Sequence, residues 1–359
     1  MQRTYRQPLV FLLLLVASMV APLCRAQDDL SQNEPLNQTA VLLFISSETI
    51  NDLLVPVAEV RETAILNLHE HLATHGHTVL PSEVMDEAAG YWRVRSDWAL
   101  SRSFLDHLAA DLAISRIQVV HLRAEHSNLA LITRLVDCPS GQLLDVELLN
   151  MELSLPDAPA EDPNTIVWLS SLAELCRSIH TTAPAPVDAS PILVLPSGGI
   201  GCDPNRALTA TASVLKLLLA ERRWSIPDPS LVSTTLSQVG IAPARLGPRG
   251  RHLLQKTFNT DILFRLNLVA YGESIVTSSL RVIDDDPFKS PRQQFSDFDL
   301  IMRRVNLQDG IVTRSHSVFA SATVQSGWFG MVQLSSSLQR IDTAAEKLWL
   351  AFNNNPKDQ

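Results

Sequence analysis

Four histidines crowd the run His69-Glu70-His71-Leu72-Ala73-Thr74-His75-Gly76-His77. His71 and His75 are four apart, so on a helix they share one face and present two imidazoles to one transition-metal ion. Glu70 precedes His71 instead of following it, so this is not the His-Glu-x-x-His pattern of a zinc protease. Histidines near a helix C-terminus also complement the macrodipole, which requires no ion. His71 and His75 therefore stand as metal candidates beside that ordinary role, and no cofactor is expected.

A second candidate is Pro196-Ser197-Gly198-Gly199-Ile200-Gly201, read as a loop between a strand and a helix. Backbone amides there would cradle a phosphate at a helix N-terminus. The spacing matches neither phosphate-binding glycine pattern, so a plain connection explains it as well. Asp284-Asp285-Asp286 offers carboxylates to a hard cation but lacks the spaced ligands and glycine of a calcium loop, which makes a solvated turn the simpler reading. No G-x-S-x-G elbow accompanies the serines. Two aromatic stretches, Tyr91-Trp92-Arg93 and Gly327-Trp328-Phe329-Gly330, are the protein-contact candidates, carried by Trp92, Trp328 and Phe329. No catalytic residue is assigned, and the expectation is a non-enzyme.

The elements that must position these residues begin after an export address. Arg3 and Arg6 precede an apolar run from Leu9 through Leu23, and Ala26 stands before Gln27-Asp28-Asp29. A basic start, a short apolar stretch and a small residue describe a secretory signal peptide over residues 1–26, cleaved after Ala26. Leu23 before Cys24 is too large for a lipid-attachment site, and the apolar run falls short of the roughly 20 residues that span a bilayer. Removing Arg3, Arg6 and Arg25 from 29 basic residues leaves 26 against 38 acidic ones, a formal charge of −12 in place of −9. That field argues against nucleic acid, whose phosphates demand positive charge. Cys138, Cys176 and Cys202 remain, giving either one disulfide and a free thiol or three buried thiols.

Beyond the leader, one pattern occurs twice. Ala40-Val41-Leu42-Leu43-Phe44-Ile45 reads as a buried strand, followed by a helix over about 57–75 with Ile65, Leu66, Leu68 and Leu72 inward. Then come the short proline-ended strand His77-Thr78-Val79-Leu80-Pro81-Ser82, a helix over about 101–112, and a strand over 117–122. A hairpin over 129–136 and 143–149 turns at Asp137-Cys138-Pro139-Ser140-Gly141, and a closing helix spans about 164–179 with Ile166, Leu169, Leu172, Ala173 and Cys176 inward. The second copy repeats the order: strand 191–196, helix 207–221, Arg223-Trp224-Ser225-Ile226-Pro227-Asp228, helix 251–258, strand 261–266, a turn at Gln308-Asp309-Gly310 and a closing helix over 338–352. A polar insertion over 284–296 reads as a loop or hairpin tip. The expected organisation is an α/β domain over 27–180, a proline-rich linker over 181–190 and a second α/β domain over 191–359, each a mixed sheet packed with helices.

The order of elements, with Val41 to Phe44, Thr78 to Ser82, Leu131 to Leu143, Ile192 to Leu195 and Ser225 to Pro227, resembles the N-terminal domain of the translocation protein TolB. Similar modules occur in curli-secretion lipoproteins, in activators of penicillin-binding proteins and in the middle domain of flagellar H-ring proteins. The Leu-Gly-Ala-Asp usual before the third strand is here Leu112-Ala113-Ile114-Ser115 and Phe258-Asn259-Thr260-Asp261. The resemblance implies a periplasmic, non-enzymatic scaffold or assembly factor for an envelope machine, a flagellar ring or a cell-wall synthesis complex. It would bind envelope or outer-membrane proteins, with self-association compatible and no transmembrane segment in the mature chain. The alternative is an exported enzyme or ligand-binding protein using residues 197–201 and the cleft between domains.

Overall fold

The computed structural model describes residues 38–45, 55–96, 99–125, 128–152, 161–181, 189–200, 204–277, 292–320, 324–326, 332–334 and 337–354. Trp328, Phe329, Cys202, Gly201, Asp284-Asp285-Asp286, the leader and most of the linker lie outside them. Gln38–Gln359 form one compact unit that holds both copies of the repeat.

The first copy is a five-stranded mixed sheet of order β2-β1-β3-β4-β5, built from β1 (Gln38–Ile45), β2 (Thr78–Val79), β3 (Arg116–Glu125), β4 (Asn128–Asp137) and β5 (Leu143–Glu152). β1 runs parallel to β2 and β3, whereas β3, β4 and β5 are antiparallel. Because side chains alternate across a strand, one face carries Val41, Leu43, Val120, Leu122 and Leu131 against α1 (Val57–Thr74) and α4 (Glu161–Arg177). The other face carries Ala40, Leu42, Ile117, Val119 and Ile132 with α2 (Ser82–Tyr91) and α3 (Arg102–Ala110). Ser101 caps α3 by accepting the Phe104 N–H at 3.2 Å.

Two residues expected inside are outside. α1 buries Val60, Ala64, Leu68 and Leu72, a strict four-residue spacing that turns Leu66, midway between Ala64 and Leu68, toward solvent. In α4 the buried set is Trp168, Leu172, Ala173, Leu175 and Cys176, which leaves Ile166 exposed. The expected helix over 251–258 starts earlier, and the strand over 261–266 is far longer than its pattern suggested.

The second copy repeats the scheme in a sheet of order β11-β10-β9-β7. Its strands are β7 (Leu193–Ile200), β9 (Ile262–Thr277), β10 (Arg292–Asn306) and β11 (Val312–Ala320), with β6 (Ser190–Pro191) paired to β8 (Trp224–Ser225) in place of the β1–β2 contact. Residues 292–296, expected in a loop, belong to β10 and pair with β9. A small hairpin of β12 (Val324–Ser326) and β13 (Val332–Leu334) follows. α5 (Pro204–Ala220) and α8 (Ser337–Asn353) cover one face. The other face, Leu193, Leu195, Leu263 and Leu307, packs with α6 (Pro229–Gln238) and α7 (Pro248–Phe258).

The two hairpin turns are alike bond for bond. Gly141 N–H donates to the Asp137 carbonyl at 2.7 Å, and Gly310 N–H to the Asn306 carbonyl at 2.8 Å. Asp137 N–H bonds the Gln142 carbonyl and Asn306 N–H the Ile311 carbonyl, both at 2.9 Å. Both glycines need a left-handed backbone, φ +73° and +80°, which side-chain-bearing residues adopt at a cost. Each hairpin carries a bulge at the matching place, after Leu135 and after Arg304.

The copies share one hydrophobic core, which runs from Leu42, Phe104 and Val146 to Val194, Leu215 and Phe298. α5 explains how. Residues 207–215 are all buried, so this stretch of the helix has no solvent face, while Lys216 and Ala220 in its last turn are exposed; it packs on its own β7 and also on β5 of the first copy. Its small residues, Ala207, Ala210, Ala212 and Ser213, let backbone approach on several sides, and Arg123 of β3 donates to Thr209 Oγ1 at 3.2 Å.

A second join lies at the first hairpin turn. Leu143 N–H donates to the Ile226 carbonyl at 2.8 Å and Asp228 N–H to the Gly141 carbonyl at 2.9 Å, with Gln142 opposite Pro227 in an antiparallel bridge. Beneath it, Arg134 of β4 and Asp228 form an ion pair at 3.0 Å with side chains only 2% and 0% exposed. Asp228 also caps α6 through the Ser230 N–H at 2.9 Å. Thr234 of α6 reaches the Leu100 carbonyl at 3.0 Å. Among the described residues no helix is long and apolar enough to cross a membrane.

Candidate functional site

Trp92 follows the C-terminal end of α2. Its ring is half-buried against the shared core, edge-on to Tyr91 at 5.6 Å between centroids and 5.8 Å from the His107 imidazole. Tyr91 itself is 80% exposed. One aromatic thus anchors and the other projects, the arrangement in which a large rigid surface is offered at little entropic cost. The Trp92 indole N–H is buried without a hydrogen-bond partner among the described residues.

The histidine run is divided by the end of α1. His71 Nε2 donates to the Ile179 carbonyl at 2.7 Å, and His75 Nδ1 donates to the His71 carbonyl at 2.8 Å. Their rings lie 4.4 Å apart and tilted, so the pair shares a face as the spacing predicts while each ring serves a backbone acceptor. His77 turns inward to Thr39 Oγ1 at 3.0 Å, and burial holds its pKa below the ordinary value. These bonds tie the helix end to β1 and to the segment after α4.

Residues 197–200, expected as a loop between a strand and a helix, continue β7. Gly198, Gly199 and Ile200 pair with Asn267, Leu268 and Val269 of β9 after a bulge beyond Leu195. The glycines accommodate that irregularity, and the paired backbone amides are not arranged as a loop around an anion.

A cluster that sequence spacing did not reveal lies at Asp145, Glu147 and His180, whose ligand atoms are all within 4.8 Å of one another. Asp145 and Glu147 are two apart on β5 and therefore share a face, and His180 arrives from the end of α4. The backbone N–H of His180 donates to Glu147 Oε2 at 2.7 Å, and its Nδ1 stands 2.8 Å from Oε1. Burial pushes the Glu147 carboxyl above its usual range, opposed by the His180 N–H and imidazole. Here the three groups satisfy one another across the first copy's β5. The sequence signal was only the alternation Asp145, Glu147; nothing local linked it to His180.

Cys138 and Cys176 are free and buried, and burial pushes each thiol up to about 12. Thiolate is the reactive form, so neither should react with Ellman's reagent in the folded protein in mildly alkaline buffer, and both should react after unfolding. Fast labelling of either in the native state would show that its core opens.

No protein-family model matches the sequence, and no curated protein matches it. Solved structures that share features of the fold include lipoprotein GNA1162 from Neisseria meningitidis, 17% identical over 46% of this chain and 99% of that one, with a TM-score of 0.31. The PelC dodecamer from Paraburkholderia phytofirmans is 10% identical over 49% of this chain and 95% of its own, with a TM-score of 0.30. The LpoB C-terminal domain from Salmonella enterica is 14% identical over 37% of this chain and 84% of that one, with a TM-score of 0.26. Each match spans about half of this chain or less.

Proposed function

We propose that this chain is a non-enzymatic periplasmic scaffold or assembly factor of a bacterial envelope machine, acting by protein–protein contact. The observation that carries the reading is the Tyr91–Trp92 pair: a projecting tyrosine fixed by a half-buried tryptophan at the end of a short helix, the residue types enriched where protein interfaces concentrate their energy. The leader-like N-terminus and the resemblance of each copy to periplasmic modules support that compartment. Within that class a flagellar-ring role is preferred and cell-wall synthase regulation comes second. A photo-crosslinking amino acid at Tyr91, activated in living cells, should capture an envelope protein identifiable by mass spectrometry. The alanine variant Trp92→Ala in that background should weaken capture. Capture of no envelope protein, or of cytoplasmic proteins alone, would overturn the reading.

A further inference from the structure

Each half of the join between the two copies has a counterpart in the other copy. The first copy contributes its hairpin turn, residues 141–143, and the second contributes residues 226–228. By the bond-for-bond match of the turns, residues 310–312 are the second copy's equivalent of 141–143. By the match of the proline-ended segments, residues 80–82 are the first copy's equivalent of 226–228. Among the described residues neither counterpart makes such a turn-to-segment bond within the chain.

Exposure follows the same correspondence. Leu143 is fully buried at the join, whereas Val312 is 48% exposed and its neighbour Ile311 60% exposed. Ser230 is fully buried, whereas Val84, its equivalent at the start of α2, is 37% exposed. Ile226 is buried, whereas Leu80 is half-exposed and Pro81 exposed. Val312 and Val84 thus occupy positions whose counterparts are buried at the internal join, and Ile311 occupies the position whose counterpart, Gln142, bridges to Pro227 there. An edge strand with such residues is a template for pairing.

We infer that the chain associates head to tail with a second copy of itself, residues 310–312 of one docking on residues 80–82 of the next as 141–143 dock on 226–228 within the chain. Val312 N–H then donates to the Leu80 carbonyl, Ser82 N–H to the Gly310 carbonyl, and Ile311 faces Pro81. Arg303 stands where Arg134 stands, and Ser82 where Asp228 stands, so a guanidinium-to-hydroxyl hydrogen bond replaces the buried ion pair. The intermolecular joint is therefore weaker than the internal one and depends on concentration. The two surfaces differ, so the contact is heterologous and adds chains until a ring closes or a fibre grows. The inference rests on the internal join alone and is independent of the envelope role.

Sedimentation velocity over a concentration series of the full chain tests it. The expected result is association beyond a dimer, abolished by Ile311→Lys and separately by Val84→Glu, with circular dichroism unchanged because both positions are exposed. A mixture of the two variants should form heterodimers and nothing longer, since each keeps one intact surface. Cysteines placed at Ile311 of one chain and Pro81 of another should form a disulfide, and chains carrying only one of them should not. A chain that stays monomeric at its highest concentration, a dimer insensitive to both substitutions, or variants that fail to pair when mixed would each overturn the inference.

Discussion

Asp228→Ala should destabilise the folded chain by about 3–5 kcal/mol, the usual cost of removing one member of a buried ion pair. The charge left behind is Arg134, whose side chain is 2% exposed. The same substitution removes the α6 cap at Ser230, which adds to the loss. Urea unfolding followed by circular dichroism should show a lower midpoint with little change in slope. The double replacement Arg134→Met with Asp228→Leu should recover most of the loss, because two well-packed apolar side chains avoid the desolvation that both ions suffer. If Asp228→Ala cost less than the roughly 1 kcal/mol typical of an exposed pair, the ion pair would not be holding the join together.

Phe104→Ala should cost about 3–5 kcal/mol, the usual range for deleting a buried aromatic ring and leaving a cavity. Phe104 is fully buried on α3, in the core that continues through α5 into the second copy. Its loss should therefore lower the melting of residues 38–359 as one cooperative transition in calorimetry, not that of the first copy alone. Two transitions, of which only one moves, would show that the copies unfold separately and that the shared core contributes little to cooperativity.

Both experiments bear on features that the sequence revealed unequally. The order of elements was legible because each carries its own local period. β1 contains the unbroken apolar run Ala40 to Ile45, α1 has inward residues near a four-residue spacing, and the turns have glycine where φ is positive. The detailed facing of helices was less legible. Leu66 and Ile166 were expected inside because leucine and isoleucine are apolar, yet both point outward since the buried stripe passes through Ala64 and Trp168 instead. An exposed apolar residue is common, and composition alone does not show which apolar residues a helix turns away. Residues 197–200 misled for a related reason: glycine marks a loop or a bulged strand equally well, and pairing with β9, some seventy residues later, decides between them.

The candidate site was legible only in part. Trp92 could be singled out as an aromatic in a loop-like stretch, and the structure adds that Tyr91 beside it ends α2 and is the projecting member. His71 and His75 do share a face, as their spacing requires, but the carbonyl that holds His71 belongs to Ile179, at the end of another helix. The cluster of Asp145, Glu147 and His180 joins a strand to the end of the following helix and has no spacing signature.

By itself the sequence indicated a mixed α/β fold with one order of elements repeated, and it located most of the buried strands, the longer helices and the two glycine turns. Tertiary structure alone decided that the copies share a core, that residues 207–215 of α5 have no outer face, and that Arg134 finds Asp228 across 94 positions. The physical reason is the range of the signal. Backbone hydrogen bonding and side-chain periodicity act over a few residues and leave a pattern in composition. Burial and ion pairing between distant segments depend on where those segments meet, and any one residue's type is compatible with many partners. The absence of charge from Ala207 through Leu215 was the one trace of the sandwiched helix in the sequence, and it acquires meaning only with a sheet on each side.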